Sequence, residues 1–487
     1  MKKKNPLNRL FLKIISLLIC FFPACQTRPF EPRPPEKVIG LESIKIDSLS
    51  SRYIELVSKI HPSSLLCGTL EENGPLELNL DPTFIKNAEK EAEILLHEAI
   101  SVPDSSLTKR KRIEKEYLLT RLKILLVELK KLNIFSRDPG VYLDELEASI
   151  AISLSSQTPV QKAERLITLF DSFPKVLNSS IKNLKYCPKP FILNAMQRAN
   201  SLEKRLAKEF EFEKYIDKNL KNELFTAKKR AQKALNEFAS ALEKNRDKYT
   251  QGPISWGEEA LKTILTLEGI FFTPSFLRIK LKEEMDQLKQ NLVNKRHSNS
   301  VKTPYLGYKQ SKPISLLNNI INASWKQLEK TKNKLKNSKF KIARIVPSKL
   351  FVNGWITYQN ELINENYAFS DLEYKFKKIR FEDCIKAYVA LSIHTDFMTL
   401  QKAAIVLEKN LNLTPKEAEI LAIEIARKPL DYLGYLGMKL IREKRFEFRK
   451  TTPEIFTQEF FEDSLFEMGG LSFQIIDKEL LKFFASQ

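Results

Sequence analysis

Histidines are few in this chain: His61, His97, His297 and His394 are all that 487 residues supply. A zinc-hydrolase helix of the HExxH kind needs two histidines one turn apart on one face. It also needs a glutamate between them as general base and a third ligand from elsewhere. His97 and Glu98 in LLHEAI begin that pattern, but the position a turn later is Ser101, and Pro103 then ends the helix. His97 therefore reads as a residue of an amphipathic face. Glu361 and Glu365 stand one turn apart and, with His394 and Asp396, present oxygen and nitrogen donors; a solvated acidic face is the simpler reading. GxSxG, CxxC and a phosphate-cradling glycine loop are all missing. Cys67, Cys187 and Cys384 are widely spaced and odd in number, so they read as small buried apolar side chains rather than ligands or nucleophiles.

The elements that must position such groups are helical. Apolar residues recur at three and four over Phe84 to Ile100, Leu107 to Leu132, Val160 to Leu184, Ile192 to Lys248 with breaks, and Phe276 to Lys295. Strand-like alternation is nearly absent, and 13 glycines are too few for many tight hairpins. Prolines 103, 139, 174, 188, 190, 253 and 274 fall mostly between helical blocks, as residues that cannot continue a helix should. The fold class expected is all-α: one large helical domain over 44–487, with two lobes around a cleft as an option. The polar stretch Asn294 to Lys312 lacks periodicity and reads as a loop.

A formal charge of +20 would suit nucleic acid, but acidic residues are interleaved with the lysines nearly everywhere and no recognition motif accompanies them. Nucleic-acid binding is not expected. The first residues read instead as a bacterial export signal. Lys2, Lys3, Lys4, Arg9 and Lys13 precede the apolar run Ile14 to Phe22, followed by Pro23, Ala24 and Cys25. That run is shorter than the about 20 residues needed to span a bilayer. Ala24 before Cys25 resembles a lipoprotein signal-peptidase site, which would make residues 1–24 the signal and Cys25 the lipidated first residue. Residues 25–43 would then form an anchor and a Pro-rich tether, RPFEPRPPEK. Gln26, in place of an aspartate, favours the outer membrane, with the domain facing the periplasm.

Two segments carry a resemblance to a known family. Leu316 to Gln327, LLNNIINASWKQ, is similar to the LLHExxPGHHLQ helix of the bacterial domain of unknown function 885 family. NGWITYQNEL resembles that family's EGWALYAE segment. Phe381 to Met398 resembles its RLVVDTGIH segment. Pro429, Gly437, Ile441 and Arg445 match a PGQAxxYxxGxxxIxxLR pattern, and Phe461 to Leu471 resembles a terminal FHxxLLxxG block. The order of these blocks agrees with the family. The resemblance implies a mostly helical fold related to HExxH zinc peptidases. Carried over by position, the first histidine ligand falls on Asn318, the general base on Asn319, the second histidine on Ser324 and the glutamate ligand on Asn353. The aspartate of the DTGIH-like segment falls on Ala390, and the terminal histidine on Glu462.

Uncharged amides and a hydroxyl cannot offset the dehydration of zinc or take a proton from bound water. The expectation is a catalytically degenerate member with no catalytic residue, metal or cofactor. A residual cleft would bind a peptide or an envelope protein, using Asn318, Asn319, Ser324 and Asn353 as hydrogen-bonding groups beside Trp355, Tyr358 and His394. Trp355 and Tyr358, three apart on a helix, also fit simple core packing, and His394 a structural hydrogen bond. The alternatives are an active metal-dependent hydrolase with a rebuilt site, and a passive envelope lipoprotein.

Overall fold

The computed structural model describes residues 40–68, 78–156, 158–249, 251–298, 328–366 and 370–484. Among the described residues the protein is helical throughout, with no strand. Sixteen of its helices are numbered here: α1 Leu41–Ile60, α2 Pro82–Ser101, α3 Lys109–Leu126, α4 Gly140–Leu154, α5 Pro159–Asn183, α6 Lys189–Leu206, α7 Lys218–Asn245 and α8 Glu258–Leu267. The second half of the chain adds α9 Pro274–Ser298, α10 Lys349–Asn366, α11 Ser370–His394, α12 Leu400–Leu411, α13 Pro415–Arg427, α14 Gly434–Thr451, α15 Gln458–Met468 and α16 Phe473–Phe484. None of the helices in the described residues is long and apolar enough to cross a membrane.

Local chemistry explains why many of these helices start where they do. The side chains of Asp81, Thr108, Thr158, Asp217, Thr399, Thr414 and Thr457 each accept a backbone N–H of the first turn they precede. Thr158 with Gln161 and Thr414 with Glu417 close capping boxes, each with a proline at the next position. Pro174 departs from the expected pattern, because it lies inside α5 rather than between helices. Tertiary packing of Phe170, Phe173, Val176 and Leu177 on the buried face of α5 compensates for the missing N–H donor. The expected loop at Asn294 also needs correction: α9 runs on to Ser298, since Lys295 and Arg296 are good helix formers without an apolar repeat. The remainder of that stretch lies outside the described residues.

Four antiparallel or crossing pairs dominate the packing: α5 on α7, α6 on α7, α9 on α11, and α10 on α14. On α7, Leu224, Ala227, Ala231, Leu235, Phe238 and Leu242 form the buried stripe at three- and four-residue spacing. The alanines let that helix approach its neighbours closely. Helix α3 does not end cleanly but passes into a single π-helical turn, Val127–Lys131, which carries Glu128.

Candidate functional site

Of the seven candidate site residues, Asn318, Asn319 and Ser324 lie outside the described residues, as does the lipidation candidate Cys25. The remaining four are described, and they separate into two environments. Asn353, Trp355 and Tyr358 sit on α10. This helix crosses α14 at a glycine-on-glycine contact: a methyl on Gly354 would lie 2.6 Å from the Cα of Gly437. The side-chain amide of Asn353 donates a long hydrogen bond of 3.5 Å to the carbonyl of Leu430, in the turn between α13 and α14. A carboxylate at that position could not donate it.

Trp355 is 0% exposed and Tyr358 1%, so neither lines an open cleft; the expectation of cleft residues is corrected to core residues at these two positions. Trp355 meets Phe466 of α15 edge-on, with ring centroids 4.8 Å apart, and Tyr358 at 5.4 Å. Lys334 lies over the Trp355 ring, 5.2 Å from its centroid, and pairs with Glu462 of α15. Gln458 donates to both the Tyr358 hydroxyl and Glu462. Glu462, the position of the resembled family's terminal histidine, thus belongs to the same cluster as Trp355 and Tyr358. The indole N–H of Trp355 is buried without a partner among the described residues.

His394 ends α11 in a separate setting, and its burial likewise removes it from any open cleft. Its Nδ1 accepts the backbone N–H of Trp256 at 2.9 Å, and the two rings pack at 5.5 Å. Burial, with Arg137 nearby, holds the imidazole down at about 3, although the Ile425 carbonyl acts in the opposite direction. Arg137 also donates to the carbonyls of Pro253 and Ile254, so His394 and Arg137 together pin the segment leading into α8. Its neutral ring acts as a structural acceptor. Asp396 is exposed with φ of 53°, and His97 is exposed on α2. The backbone of Glu361 and Glu365 is helical in α10.

Three polar clusters escaped the sequence reading. In the first, His61 is clamped between carboxylates: its Nδ1 lies 2.5 Å from Glu145 of α4, and its Nε2 3.8 Å from Glu128 of the π turn. Ser63 directs its hydroxyl (2.8 Å) and its backbone N–H (2.8 Å) to the same Glu145, so that hydroxyl is occupied as a donor. Burial opposes the imidazolium, but Glu145 and Glu128 outweigh it and raise the pKa of His61. Lys349, at the start of α10, lies in the same field. Its ammonium is held above the ordinary range because Asp431, Glu128 and Glu145 overcome its burial.

The second cluster is centred on Arg427 of α13, whose guanidinium is fully buried. It binds both oxygens of Asp138 (3.0 and 2.8 Å), Asp144 (2.8 Å) and Glu424 (2.9 Å). Burial pushes the Asp144 carboxyl up, yet Arg198, Arg427 and Lys428 hold it well below the usual carboxylate range. In the third, buried Glu268 takes hydrogen bonds from Arg121 at 3.3 Å and from the Ser348 hydroxyl at 2.5 Å. One sequence signal for the first two clusters existed: Asp144 and Glu145 interrupt the apolar run of α4, and carboxylates there must be buried and paired. Nothing local names their partners.

Each of these charges has a counter-charge, so the arrangement offers hydrogen bonds and rigid positioning rather than a free base or nucleophile. Among the described residues, no group of three His, Cys, Asp or Glu side chains is placed to hold a metal ion. Cys187 and Cys384 are buried thiols pushed up to about 12 by desolvation, and neither they nor half-buried Cys67 forms a disulfide.

No family model matches the chain, and no curated protein matches it. Its fold is similar to that of a candidate lipoprotein of unknown function from Shewanella oneidensis, at 13% identity and a TM-score of 0.58, covering 90% of this chain and 99% of that one. It is also similar to a candidate lipoprotein from Colwellia psychrerythraea, at 11% identity and a TM-score of 0.66, covering 92% of this chain and 100% of the other. At these identities the likeness is one of fold. The class it defines is a large all-helical domain, shared over nearly the whole length of both neighbours.

Proposed function

We propose that this chain is an exported protein anchored to the bacterial envelope by lipid at Cys25, and a degenerate relative of the domain of unknown function 885 hydrolases. It binds a peptide or envelope partner without hydrolysing it. One observation carries the reading. Three blocks that resemble the family in sequence order are packed together in space. Gly354 of the first lies on Gly437 of the second, and Trp355 of the first lies on Phe466 of the third. A shared site would require that convergence. At the one described ligand position, Asn353 uses its amide as a donor, which suits binding and not zinc coordination. The lipid anchor is supported by Ala24-Cys25 and by the description of both fold neighbours as candidate lipoproteins.

Two experiments test the parts separately. Growth with a labelled fatty acid should label the protein, and Cys25→Ser should abolish the label; persistence in that variant overturns the anchor. Elemental analysis of the purified chain should find no stoichiometric zinc. Zinc near one ion per chain, lost to a chelator along with amidase activity, overturns the degenerate reading.

A further inference from the structure

Exposed aromatics cluster at one end of the α9–α11 pair. Phe271 and Phe272, just before α9, are 62% and 60% exposed, and Phe397, just after α11, is 56% exposed. Phe276 and Ile279 on the first turns of α9 are exposed as well. Phe272 stacks on Phe276 at 5.2 Å, and Arg278 lies 3.7 Å above the Phe397 ring, which joins the two segments into one patch. These helices run antiparallel: Glu284 of α9 meets Arg380 of α11 at 3.1 Å, and the Leu281 carbonyl meets the thiol of Cys384. Both loops therefore emerge at the same end. Side chains this exposed project outward instead of lining a groove, and contiguous apolar patches of this kind mark interaction surfaces.

The charges around the patch select its partner. Arg278 is half-buried and has no carboxylate partner among the described residues; its Nε is buried there without an acceptor, so only the outer nitrogens of the guanidinium can meet a ligand. Lys280 stands over Phe276 at 5.9 Å while pairing with Glu283 at 2.9 Å. Of the nearby acids, Glu258 is committed to the N–H and hydroxyl of Ser275, and Asp396 is exposed beside Phe397. A protruding group of phenylalanines, with a ring-stacked guanidinium that no carboxylate of the described residues neutralises, matches the acyl boundary and the phosphates of a bilayer. Fifteen residue steps separate Cys25 from Gly40, a reach of at most about 54 Å for a fully extended chain. An anchor at Cys25 would thus hold the domain within that distance of a membrane and raise the effective concentration of lipid at any such patch.

We infer that Phe271, Phe272, Phe276 and Phe397 form a membrane-contact surface that inserts into the interface of an anionic bilayer, with Arg278 and Lys280 taking lipid phosphates. The inference rests on the anchored reading for its estimate of reach alone, and its test removes the anchor. The full chain carrying Cys25→Ser is floated with vesicles of phosphatidylcholine, and of phosphatidylcholine mixed with phosphatidylglycerol. It should bind the anionic vesicles. Phe271→Ser with Phe272→Ser should weaken that binding about tenfold or more, given two side chains returned to water. Arg278→Gln should weaken it less and flatten its dependence on salt. All three positions are at least partly exposed, so an unchanged thermal midpoint certifies the fold of each variant. Absence of binding to anionic vesicles overturns the proposal, as does equal binding by the phenylalanine variant. Self-association of the parent chain that the same variant abolishes also overturns it, since the patch is then a protein interface. Fatty-acid labelling at Cys25 reads the anchor independently of all these outcomes.

Discussion

Gly354 of α10 and Gly437 of α14 face each other so closely that a methyl on Gly437 would stand 2.3 Å from the Leu350 carbonyl oxygen. The contact is backbone on backbone, and no side chain can move aside to admit a Cβ. Gly437→Val should therefore destabilise the protein by about 3 kcal/mol or more, the upper part of the range for overpacking. Urea denaturation measures it. A loss below the error of that measurement would mean that the two helices separate at no cost.

The Arg427 cluster predicts a contrast between buried and exposed ion pairs. Removing the guanidinium with Arg427→Ala leaves Asp138 buried without its cation, while Asp144 keeps Arg198 and Lys428, and should cost about 3–5 kcal/mol. Arg427→Met, which fills the space without a charge, should still leave Asp138 without a cation and rescue little. Arg52 pairs with Glu91 and Glu98 at the surface, and Arg52→Ala should cost less than about 1 kcal/mol. Comparable losses for Arg52→Ala and Arg427→Ala would refute this division.

The two buried histidines should give opposite pH dependences. His61 has a raised folded-state pKa, so its contribution is complete below the unfolded value and disappears as pH rises through the folded one. His394 has a folded-state value near 3 against 6.5 unfolded, so its neutral ring favours folding above 6.5, and that advantage drains away as pH falls. Between pH 7 and 5 the His394 effect amounts to about 2 kcal/mol. His394→Gln should flatten the acid side of the stability profile, and His61→Gln the alkaline side. Melting temperatures across pH 5 to 9 would check both, and two unchanged profiles would sink the assignment.

Asn353 connects stability with the proposed loss of metal binding. Asn353→Glu alone places a carboxylate against the Leu430 carbonyl and should cost about 1–2 kcal/mol. Combining it with Asn318→His, Asn319→Glu and Ser324→His should restore a zinc site, and zinc should then raise the melting temperature by mass action. A quadruple variant that unfolds at the same temperature with and without zinc would count against the positional carry-over.

From the sequence alone the all-α class and five helical blocks between Phe84 and Lys295 were legible, while the bounds of the helices beyond them were not. Apolar spacing placed α2, α5 and α9 to within a few residues, because periodicity and Thr or Asp caps act over a single turn. The sequence marks His97 as a face residue, and it leaves Trp355, Tyr358 and His394 open between a cleft and a structural role; their burial removes the cleft. Pro174 inside α5 defied it, since long-range packing outweighed a local penalty. Tertiary structure alone decided the pairings. His61 and Glu145 are 84 residues apart, and Arg427 and Asp138 are 289 apart. The Gly354–Gly437 contact exists only because α10 crosses α14. Each helix announces which face it must bury, but the partner that covers that face is chosen by the shape and charge of surfaces far away along the chain.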